Sequence, residues 1–475
     1  MTNPQPLPFK CEVIVPDVSA PKSDALSRWS DSGWERPALV VIPNSAEDII
    51  DAISYAENNG LRLIPAGGGH GSFVPVDANT VYLDLKKFDS IVLDKDNEVV
   101  RFGGGVLAGA LLKKCTDEGF YTTYPNSGAV GMTGFILGGG NHPFAGLHGM
   151  AIDNVVSFHL ITAKGGALDL SASSTGEELA LFNALCGGGH GIGVVTSVAL
   201  KVFPLAELKM AGNQFFTRRL IFPGAVIEDI AITYAKLQPP APALQVTMLF
   251  ARSPPGSPVP GAPMIIVTAT YFGPAEEGEK ASSLLFEEEI VRKAIKAETV
   301  MTPFANLTSA FDALNVHGGY KDISSAWLRT TPPNATKAMY ERWLDFTGKY
   351  DDAKRTMAVL GVINTEKTAA IGNSSEGQAK YFESRDRGVL VGFVTWHNNL
   401  ETSEPASTFV RECMAIYRQS QPDTDVPRTF ANNFRPHTKL EEVHTEDKIK
   451  ELKRIVQLWD SKGIFWSPYG VREKD

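Results

Sequence analysis

Runs of glycine interrupt almost every apolar segment in the first part of this chain, at Gly67–Gly69, Gly103–Gly105, Gly138–Gly140 and Gly187–Gly189 with Gly191 and Gly193. Glycine weakens the interior of helices and strands but admits positive φ and close backbone approach. A chain punctuated in this way is confined to short strands and helices joined by loops with exposed amides. The first run is the most telling, because Pro65-Ala66-Gly67-Gly68-Gly69-His70-Gly71 directly follows a strand-like segment. Successive N–H groups without Cβ atoms around them make a cradle for a phosphate-bearing cofactor, and an imidazole at its end can touch or bond to that cofactor. The plainer reading of His70 is a satisfied loop histidine.

The neighbouring pattern is strand, helix, strand. Ala38–Ile42 reads as a short buried strand. Ser45 and Asp48 then have capping-box spacing for a helix with Ile49, Ile50, Ile53 and Ala56 on one face, and Asn59-Gly60 stops it. Leu61–Ile64 is the strand that enters the glycine loop. Val99–Phe102 and Val194–Val202 are further strands, and Leu107 to Cys115 a helix. No strict G-x-G-x-x-G stands between a strand and a helix, which disfavours a nicotinamide-binding Rossmann domain. From about Leu205 prolines gather, at Pro239-Pro240 and between Pro254 and Pro263, and Leu244–Phe250, Met264–Phe272 and Gly388–Trp396 read as strands. Helices are expected over Glu277–Ile295, Ala335–Tyr350 and Asp447–Trp459.

A chain of 475 residues exceeds one core. Its formal charge of -9, with no Lys/Arg-rich block, argues against a nucleic-acid partner. Cys11, Cys115, Cys186 and Cys413 are too scattered for a disulfide framework or a zinc site. His142 and His148, six apart, could suggest a metal pair with Asp153, but no third ligand has a recognisable spacing and no metal is expected. Met1–Val18 carries prolines and charges where a signal peptide needs an apolar core, and no later stretch has transmembrane length. A cytoplasmic protein with a small-molecule partner and no membrane contact, monomeric or homodimeric, is the expectation.

Five elements in order resemble the flavin-linked oxidases of the berberine bridge enzyme-like group, within the vanillyl-alcohol oxidase and p-cresol methylhydroxylase (PCMH) superfamily. They are the strand, helix and G-G-G-H loop of Ala38–Gly71, the glycine segment Ala129–Gly140, the element Gly149-Met150-Ala151-Ile152-Asp153-Asn154-Val155, the segment Leu181–Thr196, and a tail through Phe430–Asn433 and Ile449–Trp459. The resemblance implies an α+β fold: a two-lobed PCMH-type FAD-binding domain made from both termini, residues 1–205 and 428–475. A substrate domain of antiparallel sheet plus helices, residues 206–427, is inserted between them.

It also implies a site. His70 matches the histidine joined covalently to the flavin, and Gly67, Gly68, Gly69 and Gly71 are its loop. Ser127, Val130, Gly131, Gly134, Phe135, Gly138, Gly139, Asn154, Gly193, Val195 and Asn432 are the remaining FAD-contacting positions. The departures are informative. Many members carry a second link through a cysteine where this chain has Ser127, and a hydroxyl lacks thiolate chemistry, so a single covalent link through His70 is expected. Phe135 replaces a common histidine, and Ala66 a common arginine. Val130 matches the smaller of two residues that gate oxygen access beside the flavin, which favours an oxidase using O2.

The implied reaction is oxidation of a small phenolic, polyketide-like, alkaloid or amine substrate in specialised metabolism, with hydride passing to flavin N5 and O2 giving hydrogen peroxide. Cyclisation or cycloaddition with little or no net redox change is the alternative. Hydride removal from a hydroxyl or phenol needs a proton acceptor. On the inserted strands Gln245, Tyr271, Trp396 and His397 are candidates to reach the pocket, with Tyr271 or His397 as the base. Because strand residues alternate faces, Trp396 and His397 cannot both point inward unless the strand ends there.

Overall fold

The computed structural model describes residues 7–17, 19–21, 23, 26, 28–422, 428–435 and 438–470. The expected boundary at 427 and part of the Met1–Val18 segment lie outside the described residues. Among the described residues, no helix is long and apolar enough to cross a membrane.

Two small sheets form the first part. β1 (Glu12–Ile14), β2 (Leu39–Ile42), β3 (Arg62–Ala66) and β4 (Thr80–Asp84) lie in the order β1-β2-β4-β3, with β2 and β3 both parallel to β4. The crossover between β2 and β3 is the helix Ala46–Asn58, whose capping box is present: Ser45 Oγ accepts from Asp48 N–H, and the Asp48 carboxylate accepts from Ser45 N–H. Gly60 then takes φ 63°, the left-handed turn that only glycine adopts at little cost. Ile49, Ile53 and Ala56 are buried against the sheet as the spacing requires, joined by Ala52, whereas Ile50 of the expected face is only half-buried. A second, antiparallel sheet runs β5-β6-β10-β8-β9, from β5 (Ile91–Asp94), β6 (Val99–Gly103), β8 (Val155–Ile161), β9 (Ala167–Ser171) and β10 (Val194–Lys201). A two-strand ribbon of β7 (Phe120–Tyr121) and β11 (Phe203–Pro204) sits beside it.

The later part is one eight-stranded antiparallel sheet, ordered β15-β12-β14-β13-β17-β18-β16-β19. Its strands are β12 (Gln214–Pro223), β13 (Leu244–Arg252), β14 (Pro263–Tyr271), β15 (Lys296–Pro303), β16 (Tyr320–Leu328), β17 (Met357–Val362), β18 (Val389–His397) and β19 (Arg428–Thr429). One face is buried under the helices Ile227–Lys236, Pro333–Lys349 and Ser403–Gln419, in a core that includes Val246, Val267, Leu360, Val391, Trp343 and Phe409. Trp327 and Phe215 belong instead to the core of the first part, together with Phe272 just beyond β14, so the other face turns toward the glycine loops.

The helix expected over Glu277–Ile295 is broken into Ala275–Ala281, a 3-10 turn at Ser283–Phe286 and Glu288–Val291. The cause lies on β12. Arg218 Nε and Nη2 donate to the Leu285 carbonyl at 3.2 and 3.1 Å, taking an acceptor that a continuing helix would use. Leu285 itself is fully buried.

Candidate FAD site

The loop leaving β3 passes against the segment 128–131 so closely that neither can carry a side chain at the crossing. A Cβ on Gly68 would stand 2.5 Å from Gly131 N, and one on Gly131 would stand 2.6 Å from Gly68 N. The carbonyls of the loop are held from the N-terminal segment: Trp29 N–H donates to Gly69 O at 3.3 Å, and the Arg28 guanidinium donates to Gly71 O. No amide of Gly68, Gly69, His70 or Gly71 has an acceptor among the described residues. Buried or half-buried amides left in this state are a built-in anion cradle.

His70 closes the cradle. Its Nδ1 lies 3.1 Å from Gly68 O. A carbonyl only accepts, so Nδ1 carries the proton and Nε2 keeps the lone pair. Burial first, and then the neighbouring His317 and Lys321, push its pKa down to about 4, against the opposing hydrogen bond to Gly68. The imidazole is therefore uncharged near neutral pH and lies parallel to Trp29, ring centroids 5.5 Å apart.

The second loop supplies the rest of the wall. Ser127 Oγ donates to Asn315 Oδ1 at 2.7 Å and accepts from Ala129 N–H, so its hydroxyl is engaged on both sides. Val130 follows, its carbonyl accepting from Ala108 N–H at 2.9 Å. A Cβ on Gly134 would meet nothing within 4 Å, so open space lies beside the first turn of the helix Met132–Leu137. Phe135 is buried, its ring against Gly140. Gly139 takes φ 111° beside Phe430 and Phe382.

Asn432, far along the chain, ties these pieces together. Its Nδ2 donates to Phe135 O at 2.9 Å, and its Oδ1 accepts from His190 Nε2 at 3.1 Å. A Cβ on Gly138 would stand 2.0 Å from that Oδ1, so glycine is required there. His190 had no role in the sequence reading. Here burial pushes its pKa down to about 4, partly opposed by Asn432, and it makes an edge contact with Phe73 at 5.4 Å. The only signal in the sequence is its place directly after Gly187–Gly189.

Gly193 precedes β10 and Val195 lies in its first residues, where close approach again excludes side chains: a Cβ on Gly193 would be 2.9 Å from Ile161 O, and one on Gly104 would be 2.3 Å from Val195 O. Asn154 is buried, and its Nδ2 donates to His148 O and Met150 O, both at 3.0 Å. Asp153 beside it forms a two-pronged ion pair with Arg385, 2.8 Å on each side. His142 and His148 serve packing. His142 Nε2 donates to Gly149 O at 2.8 Å, and His148 stacks on Phe203 at 3.6 Å with its Nε2 2.8 Å from the Tyr121 hydroxyl. Among the described residues, no group of three His, Cys, Asp or Glu is placed to hold a metal.

The inserted sheet divides the candidate bases. Along β14 and β18, Ala269, Val391 and Phe393 enter the helix-covered core. Tyr271 and His397 lie in phase with them, and Tyr271 is part of that core. The Tyr271 hydroxyl donates to Glu277 Oε2 at 2.8 Å, and burial with that carboxylate pushes its pKa up to about 12. His397 stacks on Tyr320 at 5.3 Å, and its Nδ1 donates to Asn399 O at 2.8 Å. This corrects the expectation for both as bases, because strand alternation turns them away from the glycine loops. Gln245, Thr247, Thr268, Thr270, Val394 and Trp396 alternate onto the face that turns toward those loops.

The residues fit FAD: among the described residues four loop amides have no acceptor, glycines stand at each close crossing, and the imidazole is uncharged with no partner on Nε2. Comparison with known proteins agrees. The FAD binding domain family matches residues 37–171. The FAD-linked oxidoreductase hasG of Aspergillus fumigatus is 26% identical over 346 residues, 72% of this chain and 71% of that one. The (R)-6-hydroxynicotine oxidase of Paenarthrobacter nicotinovorans is 34% identical over 210 residues, 44% of each chain. Among solved structures, Physcomitrella patens BBE-like 1 aligns with a TM-score of 0.78 at 16% identity, covering 97% of this chain and 96% of that one. The 6-hydroxy-D-nicotine oxidase of Arthrobacter nicotinovorans aligns with a TM-score of 0.78 at 21% identity, covering 99% of both. The chain carries an FAD binding domain, is similar to FAD-linked oxidoreductases, and has the fold of the berberine bridge enzyme-like oxidases.

Proposed function

We propose that this protein is an FAD-dependent oxidase of a small organic substrate, with residues 1–205 and 428–475 binding the cofactor, residues 206–427 covering it, and a single covalent link through His70. When bound, FAD supplies a two-electron acceptor that takes hydride from substrate and returns the electrons to O2 as hydrogen peroxide. The observation that carries the reading is His70: an uncharged imidazole with Nε2 free, at the end of four amides that have no acceptor among the described residues. Ser127, a hydroxyl bonded to Asn315, is not a second anchor.

Each remaining residue then has a defined task. Gly68 and Gly131 let the two loops meet around the cofactor. Asn432 braces the loop 135–138 from the C-terminal segment and is itself held by His190. Val130 leaves room for oxygen. The face formed by Gln245, Thr247, Thr268, Thr270 and Val394 offers amide, hydroxyl and aliphatic contacts without a carboxylate, phenol or imidazole. That face suits an uncharged substrate, such as the free base of an alkaloid or amine, whose lone pair assists hydride loss without a protein base. The 6-hydroxynicotine oxidase among the relatives is consistent with this class.

The test is peroxide stoichiometry with a panel of alkaloid, amine and phenolic substrates. One peroxide per turnover, with turnover limited to one equivalent of cofactor without air, is the expected result. Repeated anaerobic turnover with the flavin remaining oxidised would instead establish cyclisation without net redox change.

A further inference from the structure

The side chains behind His70 form a stack that the proposed reaction does not use. Trp29 lies parallel to the imidazole at 5.5 Å. Behind it the ammonium of Lys321 sits 4.8 Å from the Trp29 ring centre and 4.3 Å from that of Trp396, and the Arg355 guanidinium covers Trp396 at 3.3 Å. Lys321 is fully buried, on the face of β16 that turns toward the glycine loops, opposite Trp396. Its ammonium donates to Val316 O. The main chain of Lys321 is fixed to the N-terminal segment on both sides: its N–H donates to Ser30 Oγ at 2.9 Å, and Ser30 Oγ donates to its carbonyl at 2.5 Å. Trp29 Nε1 donates to Leu314 O at 2.8 Å, and Asp31 pairs with Gly319 through both main-chain and side-chain bonds. The inserted sheet therefore grips the segment that holds the imidazole.

We propose that Lys321 is a positioning residue for the bond between His70 and the flavin, acting through the Trp29 ring that it holds against the imidazole. The proposal rests on His70 as the point of attachment. In that bond formation one C–H of the flavin 8α-methyl group and the imidazole Nδ1–H break, and one N–C bond forms from the Nε2 lone pair. Two protons and two electrons leave the pair, and O2 takes them as hydrogen peroxide. The lone pair must be free and aimed. A cation between two indoles binds both faces and fixes Trp29, and its charge opposes a second positive charge on the stacked imidazole. The permanently charged groups around that ring are cationic, Lys321 beside it, Arg28 on Gly71 O and Arg355 beyond Trp396; His317 also faces the imidazole, and Asp31 is the acidic side chain that acts on the ammonium.

The test compares the full chain with Lys321→Met and Lys321→Arg, each expressed under riboflavin limitation and then supplied with FAD. The flavin that stays with acid-precipitated protein is followed in time by in-gel fluorescence, alongside thermal unfolding. The expected result for Lys321→Met is a roughly tenfold slower attachment at pH 5.5. That gap should narrow toward pH 9, where the ammonium, with its pKa near about 8 through burial and Arg355, has lost its own charge. Lys321→Arg should restore the rate, because a guanidinium also stacks between indoles. Where Lys321→Met fails to fold, Trp29→Leu, which removes the stack and keeps the lysine, should show the same slow attachment. Wild-type rates for Lys321→Met at every pH overturn the proposal, as does Lys321→Arg as slow as Lys321→Met. Flavin released entirely from the wild type overturns instead the attachment at His70 on which the proposal stands.

Discussion

Among the described residues, Asp153–Arg385 is the ion pair buried on both sides, with side chains 2% and 7% exposed. Asp153 closes the turn Gly149–Asn154, and Ala151 N–H in that turn donates to Gly140 O at 3.0 Å. Arg385 belongs to the inserted part. The pair therefore fastens the glycine run 138–140 to the segment before β18. Removing one member of a buried ion pair costs about 3–5 kcal/mol, because the survivor stays buried and uncompensated. Asp153 Oδ2 also accepts from Met150 N–H at 2.8 Å, whose loss adds about 1 kcal/mol. Asp153→Ala should thus destabilise by about 4–6 kcal/mol, a large share of the stability of an ordinary protein. Replacing both partners by leucine should recover most of this, since an apolar pair leaves no orphaned charge. Urea unfolding followed separately by flavin and tryptophan signals reads the effect without assuming one transition for a chain of this size. A loss below about 1 kcal/mol in Asp153→Ala, or a double variant no more stable than the single, would refute the reasoning.

Other outcomes follow from the same geometry. Gly68→Ala puts a methyl group 2.5 Å from Gly131 N, a main-chain atom that cannot swing aside, so the purified variant should contain little flavin by absorbance. Asn432→Ala strands the Phe135 carbonyl and the buried His190 N–H, at about 1–3 kcal/mol each, and flavin should be released at lower temperature in a fluorescence melt. Val130→Leu should slow reoxidation of reduced flavin by air in stopped flow; an unchanged rate would count against Val130 as the oxygen gate. Burial depresses His142 to about 3 and His148 and His190 to about 4 from an ordinary 6.5. Their neutral forms contribute stability that is complete above about pH 6.5 and lost as pH falls toward 4, so melting temperature should drop steadily across that window while changing little from 7 to 8.

What could be read in advance and what could not divides along sequence separation. The helix Ala46–Asn58 was legible because its cap, its apolar stripe and its glycine stop lie within fifteen residues of one another. The strands of the inserted sheet were legible by composition and alternation. Which face of each strand looks at the glycine loops was not, because the register of β16 against β18 depends on pairing across the sheet, and alternation alone leaves both phases open. Tyr271 and His397 were read in the wrong phase for that reason. The helix after β14 broke because Arg218, sixty-seven residues earlier, takes its acceptor, and no local propensity records that.

The site shows the same division in sharper form. His70 is visible because the glycines that expose it are its sequence neighbours. His190 acquires meaning only from Asn432, 242 residues away, and Lys321 only from Trp29 and Trp396. These long-range partners share a property: each joins the N-terminal or C-terminal segment to a glycine loop or to the inserted sheet. A cofactor held between two lobes needs such joins, since glycine loops alone are too permissive to fix their own geometry. The loops supply close approach, and the distant histidine, asparagine and lysine remove the freedom that close approach leaves behind. Substitutions at His190, Asn432 and Lys321 should therefore loosen the cofactor or slow its attachment far more than they lower the melting temperature of the flavin-free chain, whereas substitutions at Asp153 should lower both.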